Sequence, residues 1–179
     1  MIVSSLKAKF LVFGFDRTEG IQMPVLKPIK GNLYLKWLHS GLYKDVANLE
    51  FHSNESFLTA QDVKSLMCSR GVGGFVISEL NKTVAYVVFE KQGFCLDILS
   101  LVVHQDYRRK GIATILLQKL ETRKGINKIC ICVRESNLDA HLFLKKSGFL
   151  AKKISRKYFI DQFVEKSKIE DGYFFEKSV

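Results

Sequence analysis

A run of positive charge stands directly before a helical pattern, in Arg108-Arg109-Lys110-Gly111-Ile112-Ala113. A strand end, a basic turn, a glycine and a helix start together make an anion site. The first N–H groups of a helix have no partner within it, and the helix dipole adds positive potential at that end. Gly111 lets the backbone approach a ligand with no Cβ in the way. The small Ala113 does the same further along. Neither the P-loop pattern nor G-x-G-x-x-G occurs. A second chemical candidate is Asp97, the one carboxylate in the apolar run Phe94–His104. Cys68, Cys95, Cys130 and Cys132 show no C-x-x-C spacing, and no cysteine–histidine pair has finger spacing. His39, His52, His104 and His141 are isolated from one another, so no metal site is expected. Cys130 and Cys132 alternate in an apolar run and read as reduced thiols packing on one strand face.

The elements that must position these groups follow from periodicity. Asn32–Leu38 alternates as a strand, and Leu42–Leu49 reads as a short helix. Thr59-Ala-Gln-Asp62 is a capping box opening a helix toward Cys68. Gly74–Leu80 and Thr83–Phe89 predict a hairpin around a tight turn at Asn81-Lys82. Phe94–His104 is a long strand, Ile112–Leu120 a helix and Ile129–Val133 a strand. Asn137–Lys146 predicts a helix, with Gly148 suited to the left-handed position after it. Phe149–Ile160 and Gly172–Glu176 close the pattern as strands. The expected class is α+β, one domain with a mixed sheet and helices packed on it.

Composition agrees. The chain has 179 residues, 47% hydrophobic and 26% charged, which suits one globular domain and excludes disorder for its bulk. Met1–Phe15 lacks a small-residue cleavage site and reads as a strand rather than a signal peptide. Together with reduced thiols this points to the cytoplasm, and no run is long enough for a membrane span. Lys and Arg number 28 against 18 Asp and Glu, a net charge of +10. Such a surface either favours polyanions or is simply well solvated. The lysines are scattered without an arginine-rich arm, so direct nucleic-acid binding is not expected.

Val103-His-Gln-Asp-Tyr-Arg108-Arg-Lys-Gly111-Ile-Ala113 resembles the strand, pyrophosphate loop and helix of the GNAT superfamily of acetyl-CoA-dependent N-acetyltransferases. Val133-Arg-Glu-Ser-Asn137, with Lys146-Ser-Gly148-Phe149 after it, is similar to a second signature of that family. That signature is closest to the branch acting on protein N-termini, with ribosomal-protein alanine acetyltransferases as its type. The resemblance implies a mostly antiparallel sheet, helices on both faces and a V-shaped slot for the cofactor. It implies that backbone groups of Leu101 and Val103 pair with the pantetheine arm. A bulge near Val102 would splay the strand, and an N–H there would polarise the thioester carbonyl and stabilise the oxyanion. Amides of Arg109, Lys110, Gly111, Ile112, Ala113 and Thr114 would hold the pyrophosphate, with side chains of Arg108, Arg109 and Lys110 adding charge. Asn137 would hydrogen-bond the cofactor arm.

The sequence departs from that branch at two positions. Cys132 stands where the branch has a glutamate base, and Leu144 where it has a tyrosine acid. Asp97 is a replacement, since histone-type members carry their base there. Strand alternation places Asp97, Leu99, Leu101 and Val103 on one face. Asp97 is then either a base acting through one water or a surface partner of a lysine. Tyr158 is either the acid that protonates the departing thiolate or a packing residue. A base-free transfer is a third possibility, and nothing near Cys132 would activate it as a nucleophile.

The expected function is direct transfer of an acetyl group from acetyl-CoA to a primary amine in a ternary complex, with CoA as product. A peptide or protein N-terminus leads as acceptor, ahead of a small amine or aminoacyl-tRNA. A non-catalytic acyl-CoA-binding module and an anion-binding nucleic-acid module are the alternatives. Residues 1–30 match nothing in the family and are set apart as an extension packed on the domain, 31–179. No residue pattern specifies an oligomeric state.

Overall fold

The computed structural model describes residues 28–30, 32–51, 60–160 and 169–179. The strand expected within Met1–Phe15 and the N-cap expected at Thr59 lie outside the described residues. The chain forms two compact units, which among the described residues are 28–129 with Val179, and 130–178. Both are built from α and β elements with antiparallel pairing, in an α+β fold.

In the first unit five strands lie in space as they do in sequence: β1 (Pro28–Lys30), β2 (Leu33–Trp37), β3 (Val72–Glu79), β4 (Lys82–Gln92) and β5 (Cys95–Val103). Each pairs antiparallel with the next. Among the described residues the sheet therefore begins at Pro28, opposite Tyr34, inside the segment that the sequence sets apart. Phe75, Val76 and Ile77 on β3 and Val84 through Phe89 on β4 are buried without alternation, as strands covered on both faces must be. The helices α1 (Tyr43–Phe51) and α2 (Ala60–Met67) cover one face, where Val46, Leu49 and Val63 pack with Val76, Tyr86 and Val88. The helix α3 (Ile112–Glu121) buries Ile112, Leu116, Leu117 and Leu120. Just beyond it, the Arg123 guanidinium lies 5.0 Å from the Phe89 ring and 5.1 Å from Trp37. Phe75 and Phe89 alternate with Val76 and Val88 along their strands, so helical residues cover both sheet faces. Burial lowers the pKa of Arg123.

Two local expectations change. The hairpin turn is Leu80-Asn81, with φ of 46° and 67°, and Lys82 already pairs with Glu79. A two-residue turn with both φ positive matches the twist of its strands. Asn81 accepts that conformation readily, and the exposed Leu80 shares it. The bulge in β5 lies at Leu99, not near Val102. Val88 faces Ser100 and the next residue, Phe89, faces Ile98, which leaves Leu99 as the extra residue. From Ser100 onward the alternation is reversed relative to Asp97.

The second unit takes up β6 (Lys128–Arg134) from Cys130 onward, with β7 (Leu150–Ile160) and β8 (Ile169–Ser178), ordered β6-β8-β7. Between β6 and β7 runs α4 (Leu138–Lys146), capped by the Asn137 side chain accepting from Ala140 N–H at 3.0 Å. It ends at Gly148 with φ of 85°, and Phe149 N–H donates back to Leu144 carbonyl, the expected left-handed stop. His141 fixes α4 to β8 through edge-on contacts with Tyr173 and Phe175.

Candidate active site

The loop 104–111 is braced before it reaches the helix. His104 Nδ1 accepts from Asp106 N–H at 3.3 Å. The Tyr107 hydroxyl donates to Glu79 Oε2 on β3 at 2.5 Å, and that bond raises the tyrosine pKa. Lys110 Nζ lies 5.1 Å from the Tyr107 ring centre. Arg108 turns back, its Nε donating to Val103 carbonyl at 3.1 Å. Its expected part in anion binding is thus joined to a structural one, closing the loop onto the end of β5. Arg109, Lys110 and Gly111 are exposed.

Arg109 and Gly111 both adopt left-handed backbone, with φ of 60° and 81°. Gly111 is the N-cap of α3 and supplies no side-chain cap. The amides of Ile112, Ala113 and Thr114 therefore open the helix without an i−4 carbonyl. A Cβ built on Gly111 would meet nothing within 4 Å, so the space beside Gly111 is open. The Ile112 side chain is buried in the core, leaving its amide as the group that can bind. Consecutive amides at a left-handed turn form an anion-binding concavity. These residues fit a diphosphate.

On β5, Asp97 is half-buried and accepts a weak contact from Cys95 Sγ at 3.7 Å. It sits opposite Glu90, while Val102 sits opposite Tyr86, and Leu101 and Val103 sit opposite Val87 and Ala85. Asp97 therefore shares a face with Ser100 and Val102. The expected face with Leu101 and Val103 does not form, because the bulge at Leu99 shifts the alternation. The Asp97 face is the one that α1 and α2 cover.

That face holds a group that the sequence reading missed. Glu50, near the end of α1, is 3% exposed. Its carboxylate accepts from the Tyr86 hydroxyl on β4 and from Ser100 Oγ on β5, the latter at 2.6 Å. The available signal was helical period, since Glu50 stands one turn after the buried Val46.

In the second unit, Cys132 is half-buried and burial pushes its thiol up to about 12. It is a neutral thiol at ordinary pH, neither base nor nucleophile. Leu144 is 1% exposed and belongs to the core. Tyr158 is half-buried and makes edge-on contacts with Phe159 and Phe174, both at 5.1 Å. It lies in an irregular stretch of β7, where Ser155 faces Gly172 and Phe159 faces Glu170. A Cβ on Gly172 would come within 2.8 Å of Tyr158 and 2.9 Å of Cys132 Sγ, so glycine is what lets these side chains meet. Arg134 pairs with the buried Glu170 at 3.4 Å and lies 4.5 Å from the Phe159 ring. Glu170 also accepts from Ser136 N–H, which fixes the turn leading into Asn137. The Asn137 Oδ1 is used by the helix cap. Asp97 and Tyr158 belong to different units.

The sequence pattern of the acetyltransferase (GNAT) family matches residues 42–149, well over half of the chain. A sequence search of curated proteins finds no match. Among solved structures, the chain is similar to the ribosomal-protein-S18-alanine N-acetyltransferase from Escherichia coli. The TM-score is 0.72 at 18% identity, over 82% of this chain and 93% of that one. It is also similar to Ard1 from Thermoplasma volcanium, with a TM-score of 0.72 at 19% identity over 83% and 99%. A third is Arabidopsis thaliana NAA60 in complex with acetyl-CoA, with a TM-score of 0.70 at 12% identity over 82% and 98%.

Proposed function

Because the chain belongs to the acetyltransferase (GNAT) family, we propose that it transfers the acetyl group of acetyl-CoA directly to a primary amine, with a peptide or protein N-terminus as acceptor. The observation that carries this reading is the left-handed, uncapped start of α3 at Gly111, with open space beside that glycine. Acetyl-CoA supplies an acetyl group activated as a thioester. The amides from Arg109 to Thr114 bind the diphosphate, helped by the side chains of Arg108, Arg109 and Lys110. Backbone groups of Leu101 and Val103 orient the arm, and an N–H of theirs polarises the carbonyl in place of that of Val102, which the ladder turns toward β4. Asn137 assists with its side-chain amide. Asp97 takes the proton that the acceptor amine loses as its C–N bond forms, through one water. Tyr158 is the group to protonate sulfur as the C–S bond breaks.

The N-terminal acceptor is supported by the Val133-Arg-Glu-Ser-Asn137 run and by structural likeness to proteins whose names include an alanine N-acetyltransferase. A second reading, a non-catalytic acyl-CoA-binding module, is favoured by the neutral thiol at Cys132 and the buried Leu144. One experiment separates them. Purified chain is titrated with acetyl-CoA by calorimetry, then incubated with acetyl-CoA and peptides with free or blocked α-amines. Mass increase confined to free N-termini supports the transferase. Coenzyme binding with no peptide modified supports the module, and no binding overturns both.

A further inference from the structure

We propose that the outer edge of β7 is a docking strand for an extended acidic segment of a partner protein. This goes beyond acetyl transfer and uses none of the groups assigned to it. Residues 140–160 contain Lys145, Lys146, Lys152, Lys153, Arg156 and Lys157 and no Asp or Glu. All six cations are exposed. Among the described residues none of their side chains forms an ion pair, although the Lys157 N–H donates to Asp171 Oδ1 at 2.7 Å. This one stretch thus contributes six charges to a chain whose net charge is +10.

The strand carrying four of them has an open side. In the order β6-β8-β7, β7 lies outermost among the described residues. Leu150 through Ile154 are exposed one after another. Ala151 faces Phe175 and Lys153 faces Phe174, which leaves Lys152 as an extra residue of a bulge, and the residues on either side of it expose both faces of this stretch to solvent. Leu150 is 62% exposed and Ile154 54%. An outer strand also offers a row of backbone N–H and C=O groups as a template for another strand.

Charge selects the occupant. A second copy pairing along this edge would set lysines against lysines, which cross-strand repulsion opposes. An extended acidic segment reverses the sign. Its backbone would complete the ladder, its carboxylates would meet the cations, and its apolar residues would cover Leu150 and Ile154. Nucleic acid fits less well. The aromatic residues of β7, Tyr158 and Phe159, are half-buried and packed on each other, so the edge lacks a platform for stacking bases.

The test is fluorescence anisotropy on the full chain with a labelled peptide of alternating glutamate and valine. A proline-interrupted peptide of the same charge and labelled polyuridine serve as comparisons. The alternating peptide is expected to bind. Interrupting it with proline should weaken binding by about 10-fold or more, because proline cannot complete the ladder. Combining Lys152→Glu, Lys153→Glu and Arg156→Glu should also cost about 10-fold or more, with the thermal unfolding midpoint kept as evidence of folding. If that combination unfolds, Lys152→Gln with Arg156→Gln should give a smaller loss in the same direction. Equal binding of both peptides, unchanged affinity in the folded variants, tighter binding of polyuridine or self-association along this edge would each overturn the proposal.

Discussion

Asp97 lies directly opposite Glu90 across the β4–β5 ladder, and both point to the face that carries Tyr86 and Val102. The face is set by one extra residue, Leu99. Without it, Asp97 would lie on the side of Leu101 and Val103, facing α3. Asp97→Asn is expected to lower kcat by about 100- to 10,000-fold, the usual contribution of a general base, with affinity for acetyl-CoA unchanged. Glu90→Gln, at the paired position, should leave turnover near that of the parent. Steady-state kinetics with calorimetry check this, and full turnover in Asp97→Asn removes the base assignment.

Gly111 answers a different question. Its φ of 81° costs an L residue about 1–2 kcal/mol, yet a Cβ there meets no protein atom within 4 Å. Gly111→Ala should therefore lower stability only by that backbone strain. Its effect on coenzyme should be larger, because the methyl group enters the open space beside Gly111, where the proposed diphosphate approaches. A loss of about 10-fold or more in acetyl-CoA affinity is expected, about 1.4 kcal/mol or more. Gly111→Val should abolish detectable binding. Chemical denaturation and calorimetry on the same preparations separate the two effects, and unchanged affinity would count against the loop.

Cys132 carries a pH signature. Burial raises its thiol from 9.0 to about 12, so the folded chain holds that proton more tightly than the unfolded chain. The resulting stability is fully present below about pH 9 and is lost as pH climbs toward 12. Unfolding midpoints of the parent should fall more steeply between pH 8 and 10.5 than those of Cys132→Ser, in buffers at about those values. Parallel curves would mean that Cys132 is better solvated than its surroundings imply.

The elements were legible because local pattern decides them. The basic turn before Gly111, the helix from Ile112 and the stop at Gly148 all stand where period and glycine put them. The turn at Leu80-Asn81 escaped by one residue, since Leu80 carries no turn preference and takes positive φ under the demand of the strand register. The bulge was implied near Val102 by the family resemblance, and its place at Leu99 was not legible. Leu99 is one apolar residue among many, and only pairing with β4 reveals that it is unmatched. The orientation of Asp97 depended on that bulge, so the candidate base was legible as a residue and not as a direction. The Glu50–Ser100 and Tyr107–Glu79 bonds join residues 50 and 28 positions apart, and no local rule links such partners.

Glu50 gives the last expectation. Its buried carboxylate is shared by hydroxyls on two strands, and it ties the end of α1 to β4 and to the residue beside the bulge. The Tyr86 hydroxyl and Ser100 Oγ also lie 2.9 Å apart, so removing Glu50 leaves them bonded to each other and strands one donor, which costs about 1–3 kcal/mol. Glu50→Ala should therefore destabilise the chain by about 1–3 kcal/mol. Glu50→Gln, which keeps one acceptor oxygen, should cost clearly less. Ser100→Ala removes one of the two donors, so its effect should not add to that of Glu50→Ala. Urea denaturation of the single and double variants checks this coupling. Strict additivity would show that the three side chains act independently, and that the face of β5 bearing Asp97 is held by packing against Val46 and Leu49 alone.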